Sequence, residues 1–202
     1  LTIGSNAFYN ARISSIIIPN SVTSLADYAF SYCDLLVSIS FEDDSSLLTI
    51  SDHAFYDTGI SSIIIPNSVT SLGEYAFSSC SSLVSISFED DSSLLFIGQG
   101  AFGSTGISSI IIPNSVTLID TYAFSSCDSL VSISFEDDSS LLTIGDEAFA
   151  SSGISSITIP NSVTLIDSYA FYGCLSLTAL TLEYGSSLAT VKNYAFEESG
   201  LT

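Results

Sequence analysis

Basic residues are nearly absent: Arg12 and Lys192 stand against 22 acidic residues, so the 202-residue chain carries a formal net charge of −20. A field of that sign repels phosphate backbones and anionic head groups, which argues against nucleic acid and a charged membrane surface and favours cationic partners or metal ions. Charge of either sign is scarce, at 12% of residues, where about 25% is usual. The surface is therefore largely polar and uncharged, rich in serine. No apolar run approaches the roughly 18 residues of a membrane span, and no charged-then-apolar leader opens the chain, so no direct membrane insertion of this segment is expected. No N-x-S/T sequon occurs, because each Pro-Asn-Ser runs into Val. Cysteine is limited to Cys33, Cys80, Cys127 and Cys174. In a stack of coils these equivalent positions lie two strand spacings apart, about 10 Å, beyond the roughly 7 Å a disulfide spans. Free thiols filling an apolar layer are expected, which leaves the redox compartment undecided.

What the chain has in abundance is itself. Ile13, Ile60, Ile107 and Ile154 begin near-identical copies 47 residues apart, and an Ala-Phe pair recurs nine times, from Ala7-Phe8 to Ala195-Phe196. Each copy divides into two halves on one template. The first, Ile60 to Ser82, reads I-x-x-I-x-I-P-N-S-V-T-S-L, then Tyr75-Ala76-Phe77 and Cys80; the second, Leu83 to Gly106, reads L-x-x-I-x-F-E-D-D-S-S-L-L-x-I, then Ala101-Phe102 and a closing glycine. Apolar residues that recur at positions able to stack coil on coil specify a solenoid, read as one elongated domain over residues 1–202. Double repeats start at 13, 60, 107 and 154, with partial repeats at 1–12 and 201–202. Neither terminus carries a polar capping unit, so the chain reads as an excerpt of a longer array, with weak self-association through its open ends.

Within a coil, Ile60, Ile63 and Ile65 point inward while Ser62 and Ile64 point outward, the alternation of a strand ended by Pro66. Pro-Asn-Ser or Glu-Asp-Asp-Ser-Ser then releases the backbone into a turn. Val69 and Leu72, or Leu94 and Ile97, return apolar groups to the interior. Glu74 to Cys80 has the spacing of one helical turn, with Tyr or Ala outside and Phe with Cys inside. Gly59, Gly106, Gly153 and Gly200 close the second halves, where a left-handed conformation would reset the chain's direction.

The stretch IPNSVTSLGEYAFSSCSSL from Ile65 to Leu83, with its L-x-x-I-x-I-P strand and A-F-x-x-C turn, resembles the BspA-like (Treponema pallidum type) leucine-rich repeat over the whole chain. The resemblance implies a right-handed, curved leucine-rich-repeat solenoid. A parallel β-strand ladder would line its concave side, with a short second strand and a helical turn on the convex side. It also implies a surface-exposed or secreted protein that adheres to a protein partner on a host or another cell. The second halves depart from the pattern, with Glu-Asp-Asp in place of Pro-Asn.

Three features are candidates for function. The outward strand positions Ser15, Ile17, Ser38, Ser40, Ser62, Ile64, Ser85, Ser87, Ser109, Ile111, Ser132, Ser134, Ser156 and Thr158 form a hydroxyl face striped with isoleucine, a protein-contact surface. The acidic pairs Asp43 and Asp44, Asp90 and Asp91, Asp137 and Asp138 are candidate calcium ligands, with the amides of Asn67, Asn114 and Asn161 to complete the oxygen set. His53, the one histidine, occupies a position where other copies carry Tyr. It lacks the convergent, unlike partners an active site requires, so a non-catalytic binding scaffold is expected, with a self-assembling structural subunit as the alternative.

Overall fold

The computed structural model describes all 202 residues, Leu1 to Thr202. The chain runs β1 (Thr2–Ile3), β2 (Ser15–Ile18), β3 (Ser24–Leu25), β4 (Ser38–Phe41), β5 (Thr49–Ile50), β6 (Ser62–Ile65), β7 (Ser71–Leu72), β8 (Ser85–Phe88) and β9 (Phe96–Ile97). It continues through β10 (Ser109–Ile112), β11 (Leu118–Ile119), β12 (Ser132–Phe135), β13 (Thr143–Ile144), β14 (Ser156–Ile159), β15 (Leu165–Ile166), β16 (Ala179–Leu182) and β17 (Thr190–Val191). Long and short strands alternate, every pairing is parallel, and the coils stack as a solenoid of leucine-rich-repeat type. Parallel pairing follows from the 47-residue period, since each coil returns to the position of the one before and advances by one strand spacing.

The strand pattern is as the alternation of residue types requires. In β6, Ile63 and Ile65 are buried and Ser62 and Ile64 exposed. Inward residues from every coil merge into one core of 50 buried residues. Along it the nine phenylalanines from Phe8 to Phe196 stack ring on ring, with centroids 5.0–5.4 Å apart and planes within 19° of parallel. Burying each of the seven rings from Phe30 to Phe171 contributes roughly 1.5–3 kcal/mol, and each offset-stacked pair adds about 0.5–1.5 kcal/mol.

The expected helical turn before the cysteine is absent, because no helix of any kind occurs. Glu74 to Cys80 is instead a run of β-turns held open toward the neighbouring coil. Ala76, Ser78 and Cys80 donate to the carbonyls of Gly73, Tyr75 and Phe77, three residues back. Tyr75, Phe77 and Ser79 donate across to Gln99, Ala101 and Gly103 of the next coil, at 2.7–2.9 Å. A helix would direct all these N–H groups along its own axis, whereas this turn sends every second one to its neighbour. The geometry requires two left-handed residues per coil, at Tyr75 (φ 53) and Ser79 (φ 64), and every copy repeats them, from Asn6 to Tyr194 and from Asn10 to Glu198. Glycine fills only two of these positions, Gly100 and Gly173. The placement of alanine also differs from expectation: Ala76 is fully buried beside Phe77 and Cys80, leaving Tyr75 as the outward residue. Nor are Gly59, Gly106, Gly153 and Gly200 left-handed. A Cβ on Gly106 would lie 2.5 Å from the Ser81 carbonyl oxygen of the preceding coil, so glycine is needed there for close stacking.

The nine short strands form one continuous sheet in sequence order. The long strands do not: β2 pairs with β4, β6 with β8, and only β10 to β16 form a run of four. No ladder joins β4 to β6 or β8 to β10, and β12 meets β14 only at Ser132 and Ser156. Proline removes one donor at each seam. Glu89 donates to the Ile65 carbonyl at 3.0 Å, so Ile65 faces β8, and the next residue, Pro66, turns its backbone toward β4. With no N–H to give, Pro66 cannot continue a ladder across that side, and prolines in sheets are confined to such edges.

Truncating one ring of the stack tests its weight: Phe102→Ala should lower unfolding free energy by about 3–5 kcal/mol in urea titration. At the exposed left-handed Ser104, glycine relieves the steric penalty, so Ser104→Gly should raise stability by roughly 0.5–1 kcal/mol despite the greater freedom of the unfolded chain.

The long-strand face as candidate binding surface

The fourteen outward positions expected to form a contact surface, from Ser15 to Thr158, are all solvent-exposed on the long strands. Register within the paired strands, and the repeat across the seams, place them in two files. Ser15, Ser38, Ser62, Ser85, Ser109, Ser132 and Ser156 make a hydroxyl file; Ile17 lies beside Ser40, Ile64 beside Ser87, and Ile111 beside Ser134 in the second. Ile17, Ile64 and Ile111 are 65%, 59% and 60% exposed, far more than a packed isoleucine retains. Sequence reasoning missed Val37, Val84 and Val131, which are over half exposed just ahead of the second-half strands. Their recurrence before each Ser-Ile-Ser-Phe was the available signal.

Clefts open on this face at the seams. Between β4 and β6, a cleft of about 350 Å³ is lined by Ser40, Phe41, Ser62 and Ile64 over the buried Ile39 and Ile63, and flanked by Asp43 and Glu89. Its counterpart between β8 and β10, about 340 Å³, has Ile86, Phe88, Ile110 and Ile111 with Asp90 and Glu136. The third, between β12 and β14, shrinks to about 190 Å³, and Thr158 stands where isoleucine lined the others. A further depression of about 380 Å³ on another side has only small polar residues and Asp128 around it. No apolar side chain lines it.

No three carboxylate, imidazole or thiol groups converge at the acidic triplets. Asp43, Asp44, Asp90, Asp91, Asp137 and Asp138 are exposed, and each triplet serves the turn it occupies. Its glutamate accepts the N–H of the asparagine one coil back, Glu42 from Asn20, Glu89 from Asn67 and Glu136 from Asn114, all at 3.0 Å. The Asn67 amide nitrogen donates to the Asp90 carbonyl at 3.4 Å. The third residue is left-handed, at Asp44, Asp91 and Asp138. The fourth copy explains itself on this basis. Glu183 keeps its bond to Asn161, at 2.9 Å, and Gly185 takes φ 77 where the others have Asp.

His53 stacks between Tyr28 and Tyr75, with centroids at 4.6 and 5.1 Å, in a column of left-handed residues. The four cysteines are free and buried. They lie in a buried polar file with threonine and serine: Cys80 Sγ donates to the Phe55 carbonyl at 2.9 Å and meets Thr58 Oγ1 at 3.2 Å. Burial pushes the Cys80 thiol up to about 11, so it stays protonated and a poor nucleophile.

Removing the interstrand acceptor should matter more than removing an aspartate. Glu89→Ala should lose about 1 kcal/mol and Asp90→Ala less than about 0.5 kcal/mol by urea titration, with the melting temperature unmoved by about 1 mM calcium. For Cys80 the folded pKa of about 11 exceeds the 9.0 of a free thiol. Its neutral form therefore supports the fold fully below about pH 9, and that contribution is lost as pH rises through about 11. The stability difference between wild type and Cys80→Ala should narrow over that window.

A family model described as BspA type leucine rich repeat region matches residues 1–131 and 95–202, and so reaches every coil. No curated protein matches the chain. Among solved structures, the pneumococcal vaccine antigen PcpA has a similar fold, 24% identical with a TM-score of 0.70 over 98% of this chain and 53% of that one. A leucine-rich repeat protein of Bacteroides ovatus is 25% identical with a TM-score of 0.65, over 98% of this chain and 68% of the other. A leucine rich cell surface protein of Faecalibacterium prausnitzii is 27% identical with a TM-score of 0.51, over 98% of this chain and 63% of the other. The chain thus spans about half the length of the pneumococcal structure. A match from first residue to last, and coils that superimpose on solved leucine-rich repeats along nearly the whole length, place the chain in the BspA-type leucine-rich repeat family.

Proposed function

We propose that the chain is a non-catalytic scaffold of a secreted or cell-surface protein, and that it binds a protein partner through the long-strand face. The observation that carries this reading is the file of Ile17, Ile64 and Ile111, each about 60% exposed on rigid strands that burial does not require to be apolar. Leucine-rich repeats generally present such faces to proteins, and an extended solenoid offers many shallow contacts where an enzyme would offer one deep site. The cell-surface description of the Faecalibacterium relative supports the location. The net charge of −20 favours a partner with a basic surface, on a host or another cell.

The alternative is a self-assembling structural subunit. One experiment separates the two. The chain is applied to an array of purified extracellular-matrix and cell-surface proteins, and any complex is sized by sedimentation. The scaffold reading expects a partner to bind a single copy, and the double substitution Ile64→Glu, Ile111→Glu to weaken it by about tenfold or more with an unchanged melting curve. Binding untouched by the double substitution would show that the face is idle. A self-associated chain that binds nothing else would favour assembly.

A further inference from the structure

We propose that the tyrosine cluster on the first four Ala-Phe turns is a second docking surface, and that it takes arginine side chains of a protein partner. It lies on the turns and not on the long strands, so it stands apart from the reading of the long-strand face.

The first argument is convergence. Tyr9, Tyr32, Tyr56, His53, Tyr28 and Tyr75 form one unbroken cluster, each ring in contact with at least one other at centroid distances of 4.6–5.5 Å. They come from different places in the repeat. Tyr28, His53 and Tyr75 share the first left-handed position, Tyr9 and Tyr56 directly follow an Ala-Phe pair, and Tyr32 holds the second left-handed position. Other copies carry Gly103 or Ala150 in place of Tyr56, and Ser79 or Ser126 in place of Tyr32. The fold therefore does not require aromatic residues there. Tyr32 is the one aromatic residue of its left-handed file, at φ 60, and a bulky side chain in that conformation is uncommon enough to point to a role outside the fold.

The second argument is access. Tyr9, Tyr28 and Tyr32 are 48%, 37% and 40% exposed. Tyr32 meets Tyr9 and Tyr56 edge to face, at 66° and 69°. An edge contact leaves one ring of each pair with both faces clear of the other, whereas the stacked core phenylalanines cover one another.

The third argument is charge. Asp27, Asp52, Asp57 and Glu74 are exposed on the same turns, each next in sequence to a ring of the cluster. Asp52 Oδ1 accepts the Glu74 N–H at 2.8 Å, which ties the carboxylates of adjacent coils together. Asp57 lies close to Tyr32, whose phenol is held above its ordinary pKa by partial desolvation and then by Tyr56, Tyr9 and Asp57. None of the four carboxylates has a cationic partner, since the single ion pair of the fold is Lys192 with Asp167. Aromatic faces bordered by unpaired carboxylates match a guanidinium, which stacks flat on a ring and turns its N–H groups to the acids. An ammonium meets the charge without the stacking. An anion would be repelled, and a neutral sugar would gain nothing from the carboxylate charge.

Fluorescence anisotropy at physiological salt tests this with a labelled Gly-Ser-Arg-Gly-Ser-Arg-Gly peptide and its citrulline counterpart, which keeps the planar group and loses the charge. The arginine peptide should bind at least about tenfold more tightly than the citrulline peptide, and about threefold more tightly than a lysine version. The double substitution Tyr32→Ser, Tyr56→Ala installs residues that other copies carry at those positions, and should weaken the arginine peptide about tenfold with the melting curve unchanged. Asp57→Asn should weaken it as well. Ile64→Glu with Ile111→Glu should not, so this surface and the long-strand face can fail separately. Equal affinity for the arginine and citrulline peptides, an undiminished affinity in the tyrosine variant, or no binding at all would overturn the proposal. So would binding of a neutral oligosaccharide such as cellohexaose in place of the peptide, which would reassign the cluster to glycans.

Discussion

Coil-to-coil hydrogen bonding by the Ala-Phe turns is the constraint on which the rest depends. Phe77 N–H meets the Ala101 carbonyl of the next coil at 2.8 Å, and the same bond recurs from Phe8 to Phe171. Because that bond sets the rise per coil, it also sets the distance between stacked rings, and the rings keep to 5.0–5.4 Å throughout. The left-handed residues on either side, such as Tyr75 and Ser79, follow from the same requirement. An ordinary turn would close on itself, whereas two reversals of backbone hand leave alternate N–H groups facing the neighbour. Penalties of about 1 kcal/mol per left-handed residue are tolerated because each is offset by an intercoil bond and a buried ring.

Once the rise is fixed, every other residue type falls into a file, and each file has one physical role. Isoleucine fills the inward strand positions, cysteine alternates with threonine or serine in a buried polar file, and glutamate anchors the turn of the coil before it. The role, not the residue, persists where the copies differ. Gly185 replaces aspartate in a left-handed turn, and Gly100 replaces tyrosine in a left-handed column, where it lies under the Tyr75 ring. The acidic triplets show the same constancy of role: each glutamate accepts an asparagine N–H of the coil before it, and each third position is left-handed.

The solenoid, its period, its inward and outward strand faces and its free buried thiols were legible in the residues, because a repeated pattern averages away local ambiguity. Other features were hidden by how similar different physics looks in one dimension. Tyr-Ala-Phe-Ser-Ser-Cys has the spacing of a helical turn, and nothing in it signals two left-handed residues, since tyrosine rarely adopts that conformation. Gly106 reads as a reversal of hand but marks the close approach of Ser81. The exposed positions of the candidate surface followed from alternation. Its clefts did not, because they depend on a hydrogen bond that is missing.

That missing bond gives the 47-residue period its structural meaning. Two halves on one template would otherwise make a uniform ladder with no reason for one to end in Pro-Asn and the other in Glu-Asp-Asp. Proline after β6 removes the donor on the side facing β4, and the glutamate after β8 secures the other side by accepting Asn67 N–H, so coils couple tightly in pairs and loosely between pairs. The continuous sheet of short strands and the stacked rings hold the solenoid together across each seam. Relief can therefore open on the long-strand face without loss of register.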